Sequence, residues 1–287
     1  MNDDFYAFFE GVNYASEEQV REYRSIYVSY VKPILEFVDT PMAFDFGCGR
    51  GEWLGMLREL GFQTKGIDID QGMLNFAQQK GLDVQLGEGS DFLKQIPDQS
   101  VAVLTAFHVL EHLPFNKIVE FFQQSKRVLI PGGILIAETP NPENLFVATN
   151  NFYLDHTHIR PIPILQMVNL ARYFGYPKYS VVRLREQHDL YSKEEVTFRD
   201  LFYGVSKDYG LIAQNPGGAE GLVEAIDPAL RYDTGIGIDE LIKRLDRRME
   251  ALAKKVNELS AQTDREANDV ATQADTSLKF DHNTKTQ

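Results

Sequence analysis

The stretch AFDFGCGRGEWL, residues 43–54, constrains the fold more than any other in this 287-residue chain. A short apolar run ends at Asp45, glycines follow at positions 47, 49 and 51, and the amphipathic run EWLGMLREL begins at once. The order is strand, backbone-rich loop, helix. In an open α/β sheet, ligands bind in the crevice beyond the carboxyl ends of the strands, and a loop after the first strand occupies that place. Glycines permit positive φ and let a ligand approach the backbone, while the start of the next helix offers unpaired N–H groups to an anion.

The alternation continues. After MAFDF and EWLGMLREL come FQTKGIDI, GMLNFAQQK, LDVQLG, SDFLKQI, VAVLTAFH, NKIVEFFQQSKRVL and GGILIAET, ending at Thr139. Short apolar runs separated by longer amphipathic ones predict a parallel sheet with helices on both faces. Residues 161–175 read as another helix, and KYSVVRLRE and YGLIAQN as two last strands, while QHDLYSKEEVTFRDLFYGV is too mixed to assign.

Upstream, residues 16–38 carry apolar positions at helical intervals, with Ser16 as N-cap and Pro33 dividing the run. Downstream, NPGGAEG opens a linker. Ile238, Ile242, Leu245, Met249, Leu252, Val256 and Leu259 then recur at alternating intervals of four and three, the spacing of a coiled coil or of one amphipathic helix packed on its own domain. The expected plan is a helical lid at 1–40, a catalytic domain at 41–215, a linker at 216–237, a coiled coil at 238–263 and a disordered tail at 264–287.

The glycine spacing narrows the ligand. A dinucleotide fingerprint needs G-x-G-x-x-G, but here Gly47, Gly49 and Gly51 give G-x-G-x-G, with Glu52 in place of the third glycine, and no G-K-[ST] follows to make a P-loop. The second strand ends in GIDID and puts Asp68 about 20 residues beyond the loop, where ribose hydroxyls are bound in such folds. A nucleoside without a pyrophosphate is implied.

The series DFGCGRG, GIDID, TAFHVLEHLP and RVLIPGGILIAETPNP resembles a class I S-adenosylmethionine (SAM)-dependent methyltransferase over residues 42–142. The resemblance implies a Rossmann-like α/β fold: a seven-stranded, mostly parallel sheet with a reversed last strand. It further implies that Asp45 and the backbone of Gly47, Cys48, Gly49 and Gly51 hold the methionine part of SAM, that Asp68 takes the ribose hydroxyls, and that Ile69, Met73 and Phe107 line the cofactor. Glu88, or Asp91 in its place, faces the adenine amino group.

Methyl transfer displaces a sulfonium, so a hydroxyl acceptor must also lose a proton to a base or to a metal-assisted route. Two histidine clusters follow strands at the ligand edge, FHVLEHLP and NFYLDHTHIRP. If the first is helical, His108, Glu111 and His112 share one face. Imidazole with carboxylate suits a borderline divalent cation, and the pattern is similar to the E-x-x-E-H metal site of small-RNA 2′-hydroxyl methyltransferases, with His158 or His156 as the later ligand. The alternatives are a metal-free base at His112 or His158, and histidines that only pack. Asn141, Tyr153, Asp155, His156 and Arg160 are expected on the acceptor side.

A narrower resemblance, carried by FYAFFE, FGCGRGEWL, AETPNPENL, NFYLDHTHIRP and LFYGVSKDYGLIAQNP, is to methyltransferase domains of bacterial polysaccharide biosynthesis, including those that terminate O-antigen chains. It implies O-methylation of a sugar at the non-reducing end of a lipid-linked glycan, Kdo being the acidic candidate, with Arg160, Arg172, Arg183 and Arg185 available for its carboxylate. It also implies a homo-oligomer through the coiled coil and membrane association through a partner. A quinone-precursor or catechol-type O-methyltransferase is the alternative enzyme, and a SAM-binding scaffold of a synthase complex the alternative outside enzymology.

Composition bounds these readings. A formal net charge of −13 argues against a nucleic-acid partner, whose phosphates need a concentrated basic face. The lone Cys48 cannot form an internal disulfide. No apolar run approaches the roughly 20 residues of a spanning helix, and the acidic MNDDFYAFFEG is unlike a signal peptide, which makes the cytoplasm the expected compartment.

Overall fold

The computed structural model describes residues 15–193, 195–219 and 221–284. The FYAFFE segment, the first fourteen residues of the expected lid and the last three of the expected tail lie outside them.

Ser16 caps helix α1 (Glu17–Ser25) through a reciprocal pair: its Oγ accepts from Gln19 N at 3.2 Å, and its own N–H donates to Gln19 Oε1 at 3.0 Å. A second short helix, α2 (Val28–Val31), runs into a 3-10 turn over Lys32–Glu36, with Pro33 where the run divides. Strand β1 (Met42–Phe46) then enters the sheet, followed by α3 (Glu52–Leu60), β2 (Gln63–Asp68), α4 (Gln71–Gln79), β3 (Val84–Leu86), α5 (Gly89–Gln95) and β4 (Val101–Phe107). Next come α6 (Phe115–Val128), β5 (Leu129–Pro140), α7 (Leu145–Thr149), α8 (Ile164–Tyr173), β6 (Lys178–Leu184), α9 (Phe198–Tyr203), β7 (Asp208–Gln214), α10 (Leu222–Leu230) and α11 (Ile238–Thr284).

Among the described residues these strands form one seven-stranded sheet in the order β3-β2-β1-β4-β5-β7-β6. The pairings from β3 to β5 are parallel; β7 runs antiparallel to both β5 and β6. The expected fold, reversed last strand included, is the observed one. Chain order reverses between β1 and β4, so the glycine loop after β1 sits at the switch point.

The sheet is buried on both faces, as parallel sheets are. Phe44, Leu104, Phe121, Phe122, Leu135, Met167 and Tyr209 belong to one cluster. On the other are Tyr27, Ile34, Trp53, Leu57, Val103, Ile136 and Ile226. The N-terminal helices and α10 therefore close the second layer.

Three stretches differ from expectation. The 216–237 linker contains α10, whose Leu222, Ile226 and Leu230 are buried on the sheet, so it is an integral layer. The unassigned 187–205 segment holds α9, capped reciprocally by Thr197 and Asp200. Helix α11 begins on the domain, with Leu241 packed beside Leu190, Val196 and Val205 and Leu245 buried, and continues through Thr284, across most of the expected tail. Among the described residues no helix is long and apolar enough to cross a membrane.

Candidate active site

A cleft of about 1070 Å³ opens at the carboxyl ends of β1, β2 and β4. Its floor is the glycine loop. Gly47, Gly49 and Gly51 have φ of 75°, 51° and 76°, and a Cβ at Gly47 would meet Val109 Cγ2 at 2.3 Å, so two of the three needs for glycine, conformation and space, coincide there. Asp68 ties the loop to the end of β2: Oδ2 accepts from Gly49 N at 2.8 Å and Oδ1 from Asp70 N at 2.9 Å. Burial pushes its carboxyl up, against those hydrogen bonds.

Beside Asp68, Ile69 is 70% exposed and forms an apolar shelf with Met73. Glu88 and Asp91 both border this end of the cleft, and Gly89 between them is closely overlaid by the Phe46 ring, 2.3 Å from where its Cβ would stand. Asp45 lies beneath the loop rather than on the cleft wall. Thr105 Oγ1 donates to its Oδ1 at 2.6 Å, and burial raises its carboxyl to about 7. Cys48 packs against Leu54, Leu74 and Leu82, burial pushes its thiol up, and its N–H is spent on Ile67 O; Gly51 likewise sits outside the wall.

Behind the middle of the cleft, where Arg24, His108 and Arg185 line the wall, lies a charged hub centred on the buried Glu138 near the end of β5. Arg24 Nη1 donates to Oε1 at 2.6 Å, Tyr27 OH to Oε2 at 2.6 Å, and His108 Nε2 lies 3.0 Å from Oε1. Arg185 reaches both Glu138 and Asp208. Burial opposes the charge on Glu138, but Arg24, His108 and Arg185 outweigh it and hold the carboxyl well below the usual range. His108 is likewise opposed by burial, and Glu111 and Glu138 together raise it to about 9. Phe107 lines the cleft under the Arg24 guanidinium, 3.8 Å from the ring centroid.

His108 keeps one of its expected partners, with Nδ1 3.3 Å from Glu111 Oε1, but turns Nε2 to Glu138 and does not join His112. It adopts a left-handed φ of 55°, and only Leu110–His112 form a turn, so the three side chains do not share a helical face. What comes together instead is Glu111, His112 and His158, which offer ligand atoms within 4.8 Å of one another. The imidazoles of His112 and His158 meet at a centroid distance of 4.6 Å, and burial pulls His112 below its ordinary value.

Of the expected acceptor-side residues, Asp155 lines the cleft. Asn141 is fully buried: its amide donates to Ser206 O at 2.9 Å and its carbonyl accepts from Glu143 N at 3.0 Å, a structural role at the end of β5. Tyr153 and His156 are exposed and off the cleft wall. Arg160 lies over the Phe115 ring, 4.8 Å from its centroid. The four arginines do not converge, since Arg183 pairs with Glu143 and only Arg185 of them borders the cleft.

A methyltransferase-domain family matches residues 44–137. A Mycolicibacterium smegmatis protein named as an S-adenosylmethionine-dependent methyltransferase is 27% identical over 130 residues, which is 45% of this chain and 49% of that protein. YqeM of Bacillus subtilis, named as a methyltransferase, is 38% identical over 100 residues, 32% of this chain and 39% of its own. The chain thus matches less than half the length of either relative. The crystal structure of a SAM-dependent methyltransferase from Archaeoglobus fulgidus aligns with a TM-score of 0.64 at 25% identity, covering 74% of this chain and 100% of that one.

Residues 44–137 thus match a methyltransferase domain, and the cleft fits the SAM that such a domain takes. The floor at Gly47 and Gly49 presents backbone to the cleft, Asp68 borders it where ribose hydroxyls can donate to its carboxylate, and Ile69 and Met73 offer an apolar shelf for a base. The methyltransferase fold alone explains Asp68 and the glycines. Arg24, Tyr27, Thr157, Glu138 and Asp208 are site residues that the sequence reading missed. Glu138 had a signal, as an acidic residue closing the apolar run GGILIA at the same edge as Asp45. Arg24 and Tyr27 had none, because they arrive from another element.

Proposed function

We propose that the chain transfers the methyl group of SAM, in the cytoplasm, to a sugar hydroxyl at the non-reducing end of a lipid-linked O-antigen-type glycan, capping it. The observation that carries this reading is the chemistry of the cleft wall away from Asp68. Beside Tyr23, Phe107, Leu113 and Pro114, that wall presents Lys117, His112, Asp155, Thr157, His158 and Arg185, six groups able to hydrogen-bond or carry charge. The apolar side chains can bear the face of a sugar ring while the six polar groups meet its hydroxyls; a catechol or quinone precursor would leave most of those polar groups unmatched.

Bound SAM supplies a methyl group already activated on a sulfonium, so the chain's task is positioning. Asp68 and the glycine floor fix the cofactor end. The polar wall orients the acceptor oxygen in line with the methyl carbon, and the hydroxyl proton leaves at the Glu111, His112 and His158 end. Arg24, held between Glu138 and the Phe107 ring, covers the middle of the cleft and limits water.

The heptad face of α11 supports self-association as the second part of the proposal, with another copy of this chain as the partner. The test of the acceptor is transfer of labelled methyl from SAM to a panel of glycan termini, Kdo-ended ones included, beside catechols. Label on the glycan ends is expected. Label only on small aromatic acceptors overturns the sugar reading, and SAM binding with no transfer to any acceptor returns the scaffold reading.

A further inference from the structure

We infer that Glu111, His112 and His158 form a binding site for a borderline divalent cation of the zinc, manganese or cobalt type, at the acceptor end of the cleft. The hydrogen bonds behind the three side chains carry the inference. His158 Nδ1 lies 2.6 Å from Phe152 O, and because a carbonyl can only accept, that nitrogen carries the proton and Nε2 carries the lone pair. For His112 the same result comes through a relay. Thr157 Oγ1 donates to Asp155 Oδ1 at 2.6 Å, so it accepts from His112 Nδ1 at 2.8 Å, and Nε2 again keeps the lone pair. In the neutral form each ring therefore keeps Nε2 available as a ligand atom, and the two rings meet at a centroid distance of 4.6 Å.

The third member is a carboxylate. Glu111 is fully buried, Thr139 Oγ1 donates to its Oε2 at 3.1 Å, and its Oε1 has no hydrogen-bond partner. A buried, unsatisfied carboxylate oxygen is costly without a compensating charge. His108 Nδ1 lies 3.3 Å from that oxygen and meets one side of it; a carboxylate oxygen has a second lone pair, which a cation can take. The ligand atoms of the three residues lie within 4.8 Å of one another, close to the roughly 4.2 Å that separates atoms on opposite sides of a cation with 2.1 Å bonds. Two histidines and one carboxylate leave further coordination positions open.

The outer partners complete the pattern. Metal-bound histidines as a rule donate their second nitrogen to a carbonyl, carboxylate or similar group that fixes the ring, and here Phe152 O and the Thr157–Asp155 pair do so before any cation is considered. The main chain braces the same point, since Ile159 N donates to Glu111 O at 2.9 Å and so ties the His158 loop to the Glu111 turn. His112 and His158 both face the cleft, so a cation there has its open positions directed at the acceptor. The site is independent of which acceptor is methylated.

The test is calorimetric titration of the chelator-stripped full chain with zinc, manganese and cobalt ions, together with the visible absorption of the cobalt form. Binding of one cation per chain is expected. His112→Ala and His158→Ala should each weaken it by more than about 100-fold, and Thr157→Val, which removes only an outer partner, by roughly 10-fold. SAM affinity, measured on the same variants, should stay within about twofold, which separates ligand loss from unfolding. No binding of any of the three ions, or binding unchanged in both histidine variants, overturns the site.

Discussion

Asp45 is the residue where burial acts most plainly. It ends β1 beneath the glycine loop, keeps one oxygen on Thr105 Oγ1, and is raised by burial from an ordinary carboxyl value of 3.8 to about 7. The folded state therefore favours the neutral acid. The stability this contributes is fully present below the unfolded value of about 4 and is lost as pH rises through about 7, each tenfold gap in proton affinity being worth about 1.4 kcal/mol. Asp45→Asn keeps the acceptor for Thr105 and cannot ionise. In urea unfolding of the ligand-free protein, the wild type should lose stability relative to Asp45→Asn between about pH 4 and 7, by a few kcal/mol. Parallel profiles would show that Asp45 stays ionised in the fold. The residue's place was legible as the end of an apolar run; its position below the loop, off the cleft wall, was not, because that depends on how β1 and β4 are paired.

At the scale of elements, Glu138 joins the N-terminal helices to the sheet. Arg24 from α1 and Tyr27 from the turn after it both donate to the carboxylate at the end of β5, and Tyr27 is buried against Trp53 and Phe107. Removing one partner of a buried pair leaves the other charge uncompensated, which typically costs about 3 kcal/mol or more. Arg24→Met should therefore destabilise the protein by about 3 kcal/mol, while Arg24→Met with Glu138→Gln should recover a good part of that loss, as read by chemical unfolding. Equal loss in the single and double variants would mean that Arg24 contributes by packing on Phe107 alone. The sheet itself was legible because its strands are short apolar runs separated by amphipathic ones. Helix α9 was not, although Thr197 and Asp200 stand at the spacing of a capping box, because the surrounding residues are too mixed to show a face. The Glu111, His112 and His158 cluster was half legible: residue types and neighbourhood could be read, but the left-handed backbone at His108 turns that side chain to Glu138 and lets His158 take its place.

For the whole molecule, the decisive question is what covers α11. Its first turns are held by the domain: Leu241 and Leu245 are buried, and Arg244 and Arg248 donate to Leu190 O and Val196 O. Beyond them Met249, Leu252, Val256 and Leu259 remain 53%, 47%, 62% and 55% exposed, so the heptad stripe that starts on the domain runs on without a cover from the described residues. An isolated helix gains too little from propensity to hold many turns in water, whereas packing an apolar stripe against an identical one supplies the missing burial. The four-and-three spacing is that of a supercoiled seam, and the residues between are charged. On the self-association proposed above, a second copy of the chain covers the stripe. Sedimentation velocity should then show a concentration-dependent oligomer, and Leu252→Glu with Val256→Glu should reduce it to monomer while SAM affinity is unchanged, because both positions lie far along the chain from the cleft residues. A monomer at every concentration in the unaltered protein would assign the stripe to a different partner, and an oligomer that survives both substitutions would place the interface on the catalytic domain.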